Sequence, residues 1–123
     1  MNWDSSERRK FVRIKFPCEI TIRNPKKRII SANAENISAG GLRAILEEKL
    51  PISEIVSLDI YGICKEPIIC TAKILWVFTR KLPCVENVSL YDTGMEFYDI
   101  KDAHVEKIKQ LVAAIASDEN PSK

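Results

Sequence analysis

Export and membrane signals are what this 123-residue sequence has least of. Its longest uninterrupted apolar run, Leu111 to Ala116, is six residues, far short of the about 20 that a spanning helix needs. The opening stretch, MNWDSSERRKF, lacks the apolar centre of a secretory signal, so a cytoplasmic, reducing compartment is expected. Histidine occurs once, at His104, and the four cysteines, Cys18, Cys64, Cys70 and Cys84, contain no C-x-x-C pair. Paired ligands are the usual pattern of a metal site, so neither a metal nor a cofactor is expected. Buried thiols, not disulfides, are the reading for a chain without an export signal. No low-complexity tract and no internal repeat occur, which excludes a solenoid. Acid–base or nucleophilic machinery is equally sparse. His104 falls on a solvated stretch, Cys64 and Cys70 have no activating neighbour, and Asp59, Asp92 and Asp99 are scattered. Catalysis needs a positioned base or nucleophile beside a partner, so a binding protein is expected before an enzyme.

What is present suffices for one compact domain. Hydrophobic residues make up 46% and charged residues 29%, a globular balance. A chain this long buries roughly two-thirds of its unfolded surface without a staple. The net charge is only +2, but it is unevenly spread. Arg8, Arg9, Lys10, Arg13 and Lys15 crowd residues 7–15, and Lys26, Lys27 and Arg28 form a second basic group.

Residues 14–23, IKFPCEITIR, alternate apolar and polar, the pattern of an antiparallel strand with one wet face. Pro17 has no N–H to give, so it marks an edge or a bulge. Asn24-Pro25-Lys26-Lys27 reads as a turn. Strands are expected over 28–37, 41–46, around Val56, Leu58 and Ile60, over 68–79, and over 94–98. On the fifth, Trp76 and Phe78 share the parity of Cys70, Ala72 and Ile74. Residues 80–92 read as a longer mixed loop. Beyond them Val105, Ile108, Leu111, Val112 and Ile115 recur every three or four residues, a helix with one apolar stripe. Asp102 or Asp99 is its expected cap. Six short strands and a terminal helix without βαβ alternation predict a mainly β fold. The expectation is a six-stranded antiparallel barrel capped by a C-terminal α-helix. The predicted parts are a basic N-terminal linker over 1–13, the barrel with its helix over 14–116, and a disordered tail over 117–123.

Two segments carry recognition chemistry. Arg9 and Arg13 form R-x-x-x-R, preceded by Arg8. Arginine's planar fork of donors matches phosphate oxygens or the O6/N7 edge of guanine. Taken alone, this is also how a solvated basic tail reads. Glu35-Asn36-Ile37-Ser38-Ala39-Gly40-Gly41 places Asn36 and Ser38 two apart at a strand end, on one face. Their amide and hydroxyl can bond the edge of a purine. Gly41 permits a backbone turn or a close approach that a Cβ would forbid. Taken alone, Asn, Ser and Gly are ordinary turn residues.

Together and in this order the two segments resemble the signature of PilZ domains, bacterial receptors for cyclic di-GMP: R-x-x-x-R, then [D/N]-x-S-x-x-G some twenty-odd residues on. Glu7-Arg8-Arg9, the strand containing Trp76, and Gly94-Met95-Glu96-Phe97 extend the likeness across residues 7–115. The resemblance implies that the arginine linker wraps one side of the barrel and that Arg9 and Arg13 grip guanine and phosphate. It further implies that Asn36 and Ser38 bond a guanine edge, that Gly41 shapes the backbone, and that Trp76 borders the base or else packs in the core. Arg8 occupies the position associated with an intercalated ligand dimer. Asn36 stands where many members have Asp; asparagine accepts through its oxygen but also brings an N–H pair and no charge. Implied too is a stand-alone adaptor: the ligand orders a mobile linker on the barrel and creates a surface for a partner protein. The alternatives from other classes are a ligand-blind interaction module of the same fold and a small barrel that stacks single-stranded nucleic acid. The modest net charge argues against the latter, and no nucleic-acid partner is expected.

Overall fold

The computed structural model describes residues 14–26, 28–82 and 89–119, with the side chains of 117–119 left aside. The expected roles of Arg8, Arg9 and Arg13, and the thiol of Cys84, therefore lie outside the described residues.

Six strands follow one another: β1 (Ile14–Arg23), β2 (Ile29–Ser38), β3 (Gly41–Leu46), β4 (Ile55–Ile60), β5 (Ile68–Lys81) and β6 (Ser89–Asp99). They close into an antiparallel barrel in the order β1-β2-β3-β6-β5-β4. Closure removes the exposed strand edges that an open sheet of this size would present. The mainly β expectation holds, including the count of strands.

The alternation read in the sequence builds the core. Ile20, Ile22, Ile37, Leu46, Leu58, Ile60, Ile68 and Ile74 are fully buried inside the barrel. Their β-branched and γ-branched side chains suit a half-buried pleated surface. Asn24 closes the first hairpin as its sequence suggests: its Oδ1 accepts the N–H groups of Lys26 and Arg28. Pro17 sits where the β1–β2 register shifts, between Lys15 and Cys18, so its missing N–H interrupts no ladder. Cys18 and Cys70 are buried free thiols and Cys64 is a half-buried one. Burial pushes the Cys18 thiol up to about 11. Burial, helped by the charges of Asp59 and Asp99, pushes Cys70 up to about 12.

A single helix follows, α1 (Asp102–Glu119). Its stripe lands on β1 and β2, with Ile108 and Val112 completing the core and Leu111, Ile115 and Ala116 packed beside them. Stability thus comes from the buried stripe, as expected of a helix with few internal ion pairs. Among the described residues no helix is long and apolar enough to cross a membrane.

Four expectations need correcting. Residues 80–92 are not all loop: β5 continues through Lys81 and β6 already begins at Ser89, paired to it. A long hairpin ribbon exchanges backbone hydrogen bonds for which mixed side chains are no obstacle. The helix continues to Glu119, past the limit expected at residue 116, because a nucleated helix gains one backbone hydrogen bond for each residue it adds. Its first turn is closed by backbone, with the N–H groups of His104 and Val105 donating to the Lys101 carbonyl; Asp102 stands in that turn as a charge favourable to the helix N-terminus. Finally, Trp76 and Phe78 do not share the inward face of Ile74. The β5–β6 register shifts between Ile74 and Trp76, so Leu75 is an extra residue that reverses the parity. Val77 then packs on the core, while Phe78 is 66% exposed.

Candidate functional site

The parity reversal at Leu75 matters because it turns Trp76 onto the outer face of the barrel. Cross-strand register there aligns four residues in a row. Asn36 on β2 is opposite Arg43 on β3, Arg43 is opposite Gly94 on β6, and Gly94 is opposite Trp76 on β5. A second irregularity, between Ala34 and Asn36, sets Asn36 into this row. The next row carries Ser38 opposite Gly41, and Gly41 opposite Glu96.

Two glycines make the rows possible. The Trp76 indole lies so close over Gly94 that any Cβ there would overlap its ring atoms. At Gly41 a Cβ would run into the backbone carbonyl of Met95. Gly41 adopts no positive φ; it permits the close approach of β6, not a left-handed turn.

Ser38 is 7% exposed and its hydroxyl holds the β2–β3 turn. It accepts the Gly40 N–H at 3.1 Å and donates to the Gly41 carbonyl at 3.3 Å. The Gly40 carbonyl in turn accepts the Phe97 N–H at 2.9 Å, which ties the turn to β6. A hydroxyl has one donor and two lone pairs, so one lone pair of Ser38 remains for a ligand.

The sequence reading missed Arg43 and its partners. Its Nε and Nη2 donate to the two carboxylate oxygens of Asp92 at 2.6 and 3.0 Å, a bidentate fork. Arg80 donates to Asp92 as well, at 2.9 Å. The third Arg43 nitrogen, Nη1, donates to Asn36 Oδ1 at 3.5 Å. The hydrogen bond from Arg43 is the first cause that holds the Asp92 carboxyl below the usual carboxylate range, and its reciprocal raises the Arg43 guanidinium. Two guanidinium groups on one carboxylate leave one net positive charge beside the row. Arg43 and Asp92 are 49 residues apart in the chain, and no local spacing announces their meeting.

Over these rows lies a cleft of about 410 Å³, within the range typical of small-molecule sites. Asn36, Ser38, Gly41, Arg43 and Trp76 all line it. Its far wall comes from the start of the helix, where Val105 and Lys109 face it, and Glu96 adds a carboxylate at its border. The structure therefore brings Asn36, Ser38, Gly41 and Trp76 into one cavity, and Trp76 is a lining residue with a half-buried ring, tilted against Phe78 at a centroid separation of 5.3 Å. The cleft is mostly apolar stacking surface with a few placed polar groups, the make-up of a site for a flat heterocycle with an anionic part. Among the described residues no cluster of histidine, cysteine or carboxylate side chains is arranged to hold a metal ion.

A small closed antiparallel barrel with a helix-walled cleft on its outer face defines the class. The PilZ domain family model matches residues 7–114; the chain belongs to the PilZ domain family. No curated protein matches it in sequence. Among solved structures, the Bacillus subtilis inhibitor of motility MotI superposes with a TM-score of 0.74 at 20% identity, over 92% of this chain and 53% of that one. The PilZ domain of YcgR from Escherichia coli, solved with c-di-GMP, superposes with a TM-score of 0.70 at 14% identity, over 91% of this chain and 94% of that domain. MrkH of K. pneumonia, in its c-di-GMP complex, gives 0.68 at 14% identity, over 92% and 54%. At these identities the likeness establishes the fold. The chain spans about half the length of MotI and of MrkH.

Proposed function

We propose that this chain is a receptor for cyclic di-GMP and acts as a signalling adaptor, not as a catalyst. The observation that carries the reading is the aligned row Asn36–Arg43–Gly94–Trp76 beneath the cleft, in a member of the PilZ family. The ligand offers two phosphates and two guanines. The Trp76 ring supplies a stacking face worth about 1–3 kcal/mol per base. Asn36 and Ser38 read a guanine edge, and the net positive charge of the Arg43–Asp92–Arg80 group favours the anion. Arg9 and Arg13 close over the ligand from the N-terminal side, and Arg8 engages a second, intercalated copy. The bound ligand and these arginines together form the surface that a partner protein reads. A ligand can drive such a change only through contacts that differ between the two states, and the arginine contacts are of that kind.

Calorimetric titration with cyclic di-GMP, against GTP and cyclic di-AMP, tests the reading. Selective binding of cyclic di-GMP is expected, with a stoichiometry of two if the ligand binds as a dimer. Arg13→Ala removes charge-assisted hydrogen bonds worth about 1.5–3 kcal/mol, so affinity should fall roughly 10- to 100-fold with unchanged thermal stability. Absence of binding by the unaltered protein would overturn the reading, and equal affinities would remove Arg13 from the site.

A further inference from the structure

Resting on the receptor reading above, we infer that Lys109 is a ligand-binding residue: its ammonium takes a phosphate from the helix side of the cleft and thereby ties α1 to the barrel. Val105 and Lys109 are four residues apart, so they share one face of the helix, and both line the cleft. The helix cannot roll that face away without exposing Ile108 and Val112, which are buried in the core beside it. Charge singles out Lys109 as well. Among the described residues the cleft lining carries three charged side chains, Arg43, Glu96 and Lys109. Arg43 already gives Nε and Nη2 to the two oxygens of Asp92, and Glu96 repels an anion. Arg80, the second partner of Asp92, is not a lining residue. Lys109 meets Glu106 at 3.7 Å, with side chains 55% and 63% exposed. Solvent screens such a pair and it holds the ammonium only weakly. Lysine binds phosphate as a point charge on a flexible stem, so a place on the wall is all that the contact needs.

The consequence reaches beyond affinity. The helix rests on β1 and β2 through one apolar stripe, and among the described residues no ion pair joins it to a strand. An element fixed by so few contacts opens locally at a lower free energy than the whole domain. A ligand that stacks on Trp76 and gives a phosphate to Lys109 spans both parts, so it raises the cost of opening α1 alone. The helix thus becomes a second element, besides the arginine linker, whose state reports whether the cleft is occupied.

Lys109→Gln removes the charge and keeps most of the stem. Lys107→Gln makes the same change in net charge at an exposed position of the same helix that does not line the cleft. In calorimetric titration with cyclic di-GMP at low salt, Lys109→Gln should bind about tenfold more weakly than the unaltered protein, the worth of one charge-assisted bond. Lys107→Gln should stay within about twofold, because a more distant exposed charge is screened. The gap between the two variants should narrow toward about 1 M salt, where the screening length is about 3 Å, and Lys109→Arg should keep most of the affinity. Hydrogen exchange gives a second readout at ligand concentrations that saturate both proteins. The amides of Ile108 and Val112 should gain protection on binding in the unaltered protein and gain less in Lys109→Gln. Equal affinities of Lys109→Gln and Lys107→Gln, a gap that salt does not narrow, or helix amides indifferent to the ligand would overturn this inference while leaving the receptor reading intact. Failure of the unaltered protein to bind cyclic di-GMP would overturn both.

Discussion

Two arginine–aspartate clamps serve this barrel in different ways. At the seam where β1 meets β4, Arg23 Nη2 donates to both oxygens of Asp59 at 2.8 Å. Asp59 is 7% exposed, the charges cancel, and the pair joins the first strand to the strand that closes the barrel. On the outer face between β3 and β6, Asp92 is shared by Arg43 and Arg80, one positive charge is left over, and the clamp reaches on to Asn36. The same chemistry thus gives a neutral fastening in one place and a charged group beside the cleft in the other. What separates them is the number of partners and the surroundings: the second borders the cleft, and the cleft's lining residues do not include the first.

Substitutions can break or sharpen this division between fastening and site. The largest effect is expected where the two coincide. Gly41→Ala puts a methyl against the Met95 carbonyl, an obstacle made of backbone that no rotamer relieves, and should destabilise the fold by about 3 kcal/mol, at the upper end for overpacking. A urea midpoint unchanged by Gly41→Ala would show that β3 and β6 can part locally. Asp59→Ala comes next. Losing two charge-assisted bonds at a site buried on the Asp59 side should cost about 2 kcal/mol, read as a lower urea midpoint, while cyclic di-GMP affinity stays where it was; a loss of affinity in still-folded protein would erase the division. Trp76→Ala should behave in the opposite sense, with affinity down about tenfold for the lost stacking face and a far smaller change in stability. The smallest effect concerns acid. Because the Asp92 carboxyl titrates below its ordinary value, its contribution to stability is complete at neutral pH and is lost only as pH falls below about 4, through its folded value. The stability gap between the unaltered protein and Asp92→Asn, about 1 kcal/mol at pH 7 for bonds open to solvent on the Arg80 side, should therefore close as pH falls below about 4. A gap that narrows instead at neutral pH would mean that another group governs the clamp.

Legibility followed locality. Strand β1 was readable from ten residues because period-two alternation is a property of neighbours, and so were Asn24 in its hairpin and Pro17 in its bulge. The helix was readable from its stripe. Asn36, Ser38, Gly41 and Trp76 could be picked out by a resemblance that preserves their order, and they do line one cleft. The 80–92 segment is not legible in this way, because strand pairing there depends on a partner strand and not on the segment's own pattern. Arg43 carries no local signal, because an arginine at an outward strand position is ordinary; only the fold brings Asp92 across from β6 to meet it and sets Asn36 beside it on β2.

Composition and periodicity alone determined that this chain would be a six-stranded antiparallel barrel with a capping helix, since side-chain alternation decides which face of each strand is buried. Which outward residues stand next to one another was decided only in three dimensions. Register shifts beside Glu35 and Leu75 align Asn36, Arg43, Gly94 and Trp76. Register belongs to pairs of strands and follows from the packing and closure of the whole sheet, so no single strand carries it.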